Sequence, residues 1–167
     1  MEIEVELNEF VGYENTESKS KIYQVETYDD KFIIFTEENP FYFEAGGQIS
    51  DKGVITIDDT SIEVIDVFQA SNGATGLIVD SDIFKVDQEV ELSVNKSFRS
   101  GVSKSHTGAH IVHSALRNIL GDHVAQAGSN VTPGKFRFDF SHTEKVSQEE
   151  LDEIFALSNS CLLYTSD

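Results

Sequence analysis

Hydrophobic and polar positions alternate through most of the first 95 residues. The segment Lys21–Glu26 places apolar side chains at every second position, and successive side chains of a strand point to opposite faces. Strands are predicted wherever residues alternate in this way or form a short apolar run. These segments are 21–26, 32–35, 54–57, 62–67, 76–79 and 89–94. Turn-forming pairs such as Asp29-Asp30 and Asp58-Asp59 separate them. Short strands divided by turns are typical of a small antiparallel barrel or sandwich.

The hydrophobic period changes near residue 100. Between Ser103 and Leu120 the apolar positions recur at the spacing of a helix, with Ser103 or Ser105 as the cap and Gly121 as the stop. The apolar positions of this predicted helix are Val112, Ala115, Leu116, Ile119 and Leu120. A helix at this point begins a different architecture, so we place a boundary at 95–100.

A strand and a second helix are predicted after the first helix. Residues 135–141 alternate Phe136, Phe138 and Phe140 with polar side chains, which predicts a half-buried strand whose aromatic face belongs to the core. Ser147 and Glu150 then have the spacing of a capping box. The apolar positions of the helix that follows are Leu151, Ile154, Phe155 and Leu157. Strands followed by a helix, a strand and a helix predict an α+β protein.

The distribution of charge also changes near residue 95. Of the formal net charge of −18, residues 1–95 carry −17 and residues 96–167 carry −1. Binding a polyanion requires cationic groups that displace its counterions, so the first half is not expected to hold nucleic acid. The second half carries the cations Lys96, Arg99, Lys104, Arg117, Lys135 and Arg137. A nucleic acid would therefore approach the second half, or residues outside this chain.

Composition predicts a cytoplasmic protein. Cys161 is the only cysteine, which excludes a disulfide framework and fits a reducing compartment. The chain has no apolar stretch of about 18 residues, so we expect no membrane span. The acidic first ten residues are not those of a secretory signal.

His106 and His110 are the sharpest candidates for chemistry, because residues four apart lie on one face of a helix. Two imidazoles at this spacing can share a zinc ion, although a zinc site needs three or four protein ligands. His113 lies on a similar face, and Cys161 has no neighbouring histidine. The spacing thus predicts half of a metal site, and ordinary packing of these side chains stays open as the alternative.

A second candidate is the pair Gly46-Gly47, which lies within Phe41–Gly53. The pair lacks the spacing and the Lys-Ser/Thr ending of a phosphate-binding loop, and it is not a dinucleotide fingerprint. Two adjacent glycines between strands predict instead a tight turn with positive φ.

Longer segments carry a family resemblance. Phe41–Gly53, FYFEAGGQISDKG, resembles the glycine-rich segment of the alanyl-tRNA synthetases. His106–His142, HTGAHIVHSALRNILGDHVAQAGSNVTPGKFRFDFSH, resembles their editing region, and Phe10–Tyr13 resembles the chain leading into it. The three matches follow the family's order and cover most of residues 10–145.

The resemblance implies that the chain is an internal part of such a synthetase. A leading segment, 1–18, would precede a small antiparallel β-barrel, 19–97, and the N-terminal half of an α/β editing domain, 98–167. The editing domain of the family hydrolyses tRNA(Ala) wrongly charged with serine or glycine. The implied partners are tRNA(Ala) and the remaining domains of the same polypeptide. ATP and Mg²⁺ would serve only the aminoacylation domain, which nothing in this sequence resembles.

The resemblance also assigns residues to the editing site. It implies zinc at His106 and His110, with a later Cys-x-x-x-His pair, absent from this sequence, completing the ligands. Gln126 matches the pocket glutamine of the family, and Thr107 is a weaker catalytic candidate. The family usually reads HTATH, whereas Gly108-Ala109 stands here in place of the central Ala-Thr. The role of zinc, in activating water or in orienting the substrate, stays open.

Two further interpretations share the same fold. A free-standing deacylase that edits mischarged tRNA would contain both the barrel and the editing core. A non-catalytic module would keep the fold without the site. The residues from Ser160 to the end do not resemble the family.

Overall fold

The computed structural model describes residues 3–164. Met1, Glu2 and the last three residues of the predicted editing segment lie outside the described residues. The chain divides into two compact units: unit 1 is Met1–Ala45 with Ser50–Arg99, and unit 2 is Gly46–Ile49 with Ser100–Asp167. The main division at Arg99 falls within the range 95–100 indicated by the sequence. Gly46–Ile49, expected within the barrel segment, groups with unit 2.

Unit 1 is built from strands. Its described strands are β1 (Glu9–Phe10), β2 (Glu17–Tyr28), β3 (Lys31–Thr36), β4 (Glu38–Asn39), β5 (Gly53–Ile57), β6 (Thr60–Val64), β7 (Asp66–Gln69), β8 (Thr75–Val79) and β9 (Glu89–Val94). Seven of them form one sheet in the order β6-β5-β9-β2-β3-β8-β7, and every pair in it is antiparallel. Asp58 and Asp59 both have positive φ, as a two-residue turn between twisted strands requires.

The predicted strand 62–67 is wrong in one respect, because the chain changes partners at Ile65. Val64 ends β6 on β5, whereas Asp66 begins β7 on β8. These are the two outermost strands of the order. Three consecutive Cα atoms span at most about 7 Å, so the two ends of the sheet meet at Ile65. This curling supports the expected barrel, and the antiparallel arrangement is confirmed.

The interior of unit 1 contains apolar side chains from most strands of the sheet. The fully buried members include Ile22, Ile34, Phe41, Ile55, Leu77 and Leu92. Most acidic side chains of unit 1 are exposed or half-buried, and Asp51 is a buried exception. Its carboxylate pairs with Arg99, which also donates to the carbonyl oxygens of Gly12 (2.8 Å) and Pro40 (2.6 Å). Arg99 is therefore committed to unit 1 and is not a surface cation.

The first helix begins earlier than the sequence predicts. α1 spans Lys96–Leu120, and Asn95 caps it by accepting a hydrogen bond from the Phe98 amide at 3.0 Å. The predicted caps Ser103 and Ser105 are wrong, since both lie inside the helix. All five apolar positions predicted for this helix pack in the core of unit 2.

The remainder of unit 2 is a hairpin and a helix. Strand β10 (Ala125–Thr132) pairs antiparallel with β11 (Lys135–Ser141), and α2 spans Gln148–Tyr164. The capping box is confirmed: the Ser147 amide donates to Glu150 at 2.8 Å, and the Glu150 amide donates to the Ser147 hydroxyl at 3.2 Å. Phe138 and Phe140 pack on the core, as expected. Leu151 and Phe155, predicted for the apolar face of α2, are instead exposed.

Within residues 3–164, neither helix combines the length and the apolar composition that a membrane crossing requires. The mostly antiparallel strands and the two helices confirm the α+β class.

Candidate functional site

The two predicted metal ligands face each other on α1. The Nε2 atoms of His106 and His110 lie 3.0 Å apart, and their ring centroids are 4.7 Å apart with an angle of 24° between the planes. Two nitrogens bound to one ion at about 2.0–2.1 Å must approach each other to roughly this range. His106 is half-buried and His110 is exposed, so the pair opens towards solvent. The helical spacing therefore produces the side-chain convergence that the sequence predicts.

Burial also favours the neutral form of one ligand. Desolvation, followed by the charge of His110, lowers the pKa of His106 from its ordinary value of 6.5. A metal ion binds the neutral imidazole, so a proton competes less well for this side chain than for a solvated histidine.

Gln126 shares a small cavity with the two histidines. The cavity has a volume of about 30 Å³ and is lined by Gly46, His106, Ala109, His110, Gln126, Ser129, Val131 and Phe138. The Gln126 Nε2 donates to Ser129 Oγ at 2.9 Å, which holds the amide beside the histidine pair. A space of this size admits a water molecule or an ion. The structure thus brings together three of the four predicted site residues.

Thr107, the fourth predicted residue, does not line this cavity. Its side chain is exposed, and its hydroxyl donates to the Ser103 carbonyl one turn earlier at 3.1 Å. The substituted position Gly108 is buried, where a Cβ would lie 3.2 Å from Phe136 Cε1. The helix approaches β11 closely there, so glycine suits this sequence.

The glycine-rich segment supplies a residue that the sequence analysis missed. Gly46 and Gly47 have φ values of 61° and 83°, which confirms the predicted turn. Beyond the turn, the Oε1 atom of Gln48 lies 2.9 Å from the Nδ1 atom of His106. The glycine pair was the one sequence signal for a role of Gln48, because the residue after a tight turn can face a neighbouring element. The contact itself joins residues 58 positions apart and needs the fold.

The donor set fits half of a zinc site. Two imidazoles with converging Nε2 atoms are suitable ligands, but a structural or catalytic zinc requires at least three protein ligands. Among residues 3–164, no group of three or more His, Cys, Asp or Glu side chains is placed to hold a metal ion. Cys161 is exposed on α2.

A second pair of histidines lies elsewhere in unit 2. His123 Nε2 is 2.8 Å from His142 Nδ1, and the two rings are stacked with centroids 5.0 Å apart. Neither side chain lines the cavity that contains Gln126. This pair supplies a matched reference for experiments on His106 and His110.

Comparison with known proteins defines the class. A family model described as tRNA synthetases class II (A) matches residues 2–98, so the chain belongs to that family. The chain is 37% identical over 165 residues to the alanine–tRNA ligase of Caldicellulosiruptor saccharolyticus, an alignment that covers 92% of this chain and 19% of that protein. The resemblance to alanyl-tRNA synthetases is therefore confirmed.

Other alanine–tRNA ligases are similar to the same extent. The protein from Oceanobacillus iheyensis is 40% identical over 156 residues, covering 87% of this chain and 18% of that protein. The protein from Bacillus subtilis is 38% identical over 161 residues, covering 90% of this chain and 18% of that protein. The chain thus spans about a fifth of the length of these curated relatives.

Proposed function

We propose that this chain acts within an alanine–tRNA ligase and that unit 2 contributes to its editing site. The substrate would be the ester that joins serine or glycine to the terminal ribose of tRNA(Ala). The observation that carries the proposal is the convergence of His106 and His110 on a cavity that also contains Gln126. The similarity to ligases that must handle alanine supports the choice of substrate.

The proposed reaction is hydrolysis. A water oxygen attacks the ester carbonyl, the bond between that carbon and the ribose oxygen breaks, and the ribose oxygen takes up a proton. The products are the free amino acid and uncharged tRNA. His106 and His110 would hold a zinc ion, with further ligands from outside the described residues. A bound zinc ion can lower the pKa of water, polarise a carbonyl or orient a substrate.

Selectivity is the task assigned to Gln126. Serine exceeds alanine by one hydroxyl oxygen, so a pocket that admits serine cannot exclude alanine by size. A polar group that hydrogen-bonds the serine hydroxyl is left unpaired by the alanine methyl, which makes discrimination strong. One of the two Nε2 hydrogens of Gln126 is donated to Ser129 Oγ. We assign the serine hydroxyl to the carbonyl Oε1, which accepts a hydrogen bond that the alanine methyl cannot donate.

The cations of unit 2 are the candidate contacts to tRNA. Lys104 and Lys135 are exposed, whereas Arg117 and Arg137 form exposed pairs with Asp122 and Asp139. Exposed pairs of this kind contribute little stability and exchange readily with phosphate. The strongly acidic first half would repel the RNA backbone and so restrict the approach of tRNA to other surfaces.

The test replaces His106 with alanine in the intact ligase that contains this region. We expect loss of Ser-tRNA(Ala) deacylation, with alanine activation retained, because the two reactions use different groups. The matched control is His123→Ala, which alters the second histidine pair and should keep deacylation. Equal loss of deacylation and of alanine activation would show that His106 supports folding instead. Unchanged deacylation would contradict the proposal.

The 167-residue chain offers a second test of the same proposal. With two of the zinc ligands it should bind zinc weakly and should not deacylate Ser-tRNA(Ala). A turnover close to that of the intact ligase would show that the site is complete without further residues.

A further inference from the structure

The side chains of Gln48 and His106 are in hydrogen-bond contact. The Gln48 carbonyl oxygen, Oε1, can only accept a hydrogen bond. At 2.9 Å from His106 Nδ1, it requires a proton on that nitrogen. A neutral imidazole has one N–H, so His106 Nε2 then presents its lone pair to the cavity. This is the form that a metal ligand requires, and a hydrogen bond to the second nitrogen is the usual way to fix it.

Gln48 is held in place by its backbone and not by the side-chain contact alone. The Val131 amide donates to the Gly47 carbonyl at 2.8 Å, and the Ile49 amide donates to the Val131 carbonyl at 3.4 Å. Gln48 thereby forms a parallel bridge to Val131 on the edge of β10. The hydrogen bonds flank Gln48 on both sides, so its side chain leaves the backbone at a fixed position.

Gly47, which precedes Gln48, allows the loop to approach Ser129 closely. A Cβ on Gly47 would lie 2.1 Å from the Oγ of Ser129 and 2.9 Å from its carbonyl oxygen, far inside contact distance. The Ser129 Oγ also accepts from Gln126 and donates to the Gly46 carbonyl at 3.5 Å. The loop Gly46–Ile49 therefore touches both sides of the cavity, with Gln48 on His106 and Gly46 on the partner of Gln126.

We propose that Gln48 is a positioning residue that fixes the tautomer and ring orientation of His106 for metal binding. This inference rests on the proposed zinc site. It also accounts for the contact between the two histidines. In the metal-free protein, with its proton on Nδ1, His106 accepts at Nε2 the hydrogen bond that His110 donates from its own Nε2 across 3.0 Å. On binding zinc, His110 would carry its proton on Nδ1 instead. The described side chains thus form one chain of hydrogen bonds from His110 through His106 to Gln48.

The experiment compares two substitutions of Gln48 and one of Gly47 in the full 167-residue chain. Gln48→Met keeps the length of the side chain and removes the acceptor. Gln48→Glu keeps an oxygen acceptor, and Gly47→Ala keeps Gln48 but displaces the loop that carries it. The first readout is the ¹⁵N spectrum of His106 without metal, in which the protonated and unprotonated ring nitrogens have distinct shifts. The second is Zn²⁺ affinity, measured by competition with a chelating dye.

We expect His106 to carry its proton on Nδ1 in the wild type and in Gln48→Glu. In Gln48→Met and Gly47→Ala it should shift towards a mixture with Nε2–H, the form that cannot bind metal through Nε2. Loss of an outer hydrogen-bond partner lowers metal affinity by about 10–100-fold, and the same range is expected for these two variants. Gln48→Glu should restore wild-type affinity or exceed it.

Two control variants isolate the effect. Gln148→Met makes the same chemical change on α2, where Gln148 bonds only Asp152 among the described residues, and should leave both readouts unchanged. His123→Gln removes the second histidine pair, so that any zinc bound there is not counted. Backbone amide spectra of every variant establish that unit 2 is folded.

The outcomes separate this inference from the proposed function. An unchanged His106 tautomer in folded Gln48→Met overturns the inference, whether or not zinc binds. A wild-type chain that shows the expected tautomer and its loss in Gln48→Met, but no zinc binding to His106, supports the hydrogen-bond role and overturns the metal site. Equal zinc affinity in wild type and Gln48→Met overturns the positioning role while the zinc site stands.

Discussion

Replacement of Arg99 by methionine should destabilise unit 1 more than any exposed charge substitution. The Arg99 side chain is 19% exposed and its partner Asp51 is 3% exposed. The guanidinium also donates to two carbonyl oxygens, those of Gly12 at 2.8 Å and Pro40 at 2.6 Å. In the Arg99→Met variant the buried carboxylate would keep its hydrogen bond from the Tyr42 amide at 2.7 Å but lose its countercharge.

The expected loss is about 3–5 kcal/mol in the free energy of unfolding, the usual cost of removing one partner from a buried pair. That is a large part of the roughly 5–15 kcal/mol that stabilises a typical domain. Lys96→Met is the matched control, because Lys96 pairs with Glu17 with both side chains 64% exposed. Removing an exposed pair of this kind costs about 0–1 kcal/mol.

Urea unfolding followed by circular dichroism measures both variants. Hydrogen exchange of the Ile55 and Leu77 amides reports on the core of unit 1 separately, because both residues are fully buried there. A loss below about 1 kcal/mol for Arg99→Met, equal to that of Lys96→Met, would contradict the assignment of a buried and energetically coupled pair.

The remaining predictions concern two groups with shifted pKa values. Hydrogen bonds from the Ser147 amide and side chain lower the pKa of Glu150 below its ordinary value of 4.5. The stabilisation of α2 by this carboxylate is therefore present above pH 4.5 and is lost as the pH falls through the folded-state pKa. Amide hydrogen exchange in α2 should show this pH dependence in the wild type and lose it in Glu150→Gln. Burial, followed by the charge of Glu6, raises the pKa of Tyr23 to about 12. Ultraviolet titration should find one phenol that ionises near pH 12, and Tyr23→Phe should remove it. The contribution of neutral Tyr23 to stability is present below pH 10 and is lost as the pH rises through 12. A titration in which every tyrosine is ionised by pH 11 would contradict the assignment.

Elements with strong local signals could be predicted from the sequence. The capping box of Ser147 and Glu150, the Phe alternation of β11 and the positive φ of Gly46-Gly47 each depend on a few neighbouring residues. The start of α1 was misplaced because its first turns lack a regular apolar period and include Gly101. In the fold, a Cβ on Gly101 would lie 3.0 Å from Pro133, so this glycine serves packing and does not break the helix.

Features that depend on distant partners could not be predicted. Residues 62–67 read as one strand because the alternation continues across Ile65, and only the pairing with β5 and β8 separates β6 from β7. The histidine pair follows from helical spacing, whereas its contact with Gln48 joins segments 58 positions apart. Leu151 and Phe155 have helical apolar spacing, yet the described residues leave them exposed.

The link through Ile65 has a consequence for association between copies of the protein. An unpaired strand edge is the place where a second molecule can add a strand, which starts aggregation. In unit 1 the outermost strands β6 and β7 are only 5 and 4 residues long and carry the exposed carboxylates of Glu63 and Asp66. Short strand edges that carry exposed carboxylates are poor templates for an added strand, so both margins of the sheet disfavour edge-to-edge pairing with a second copy.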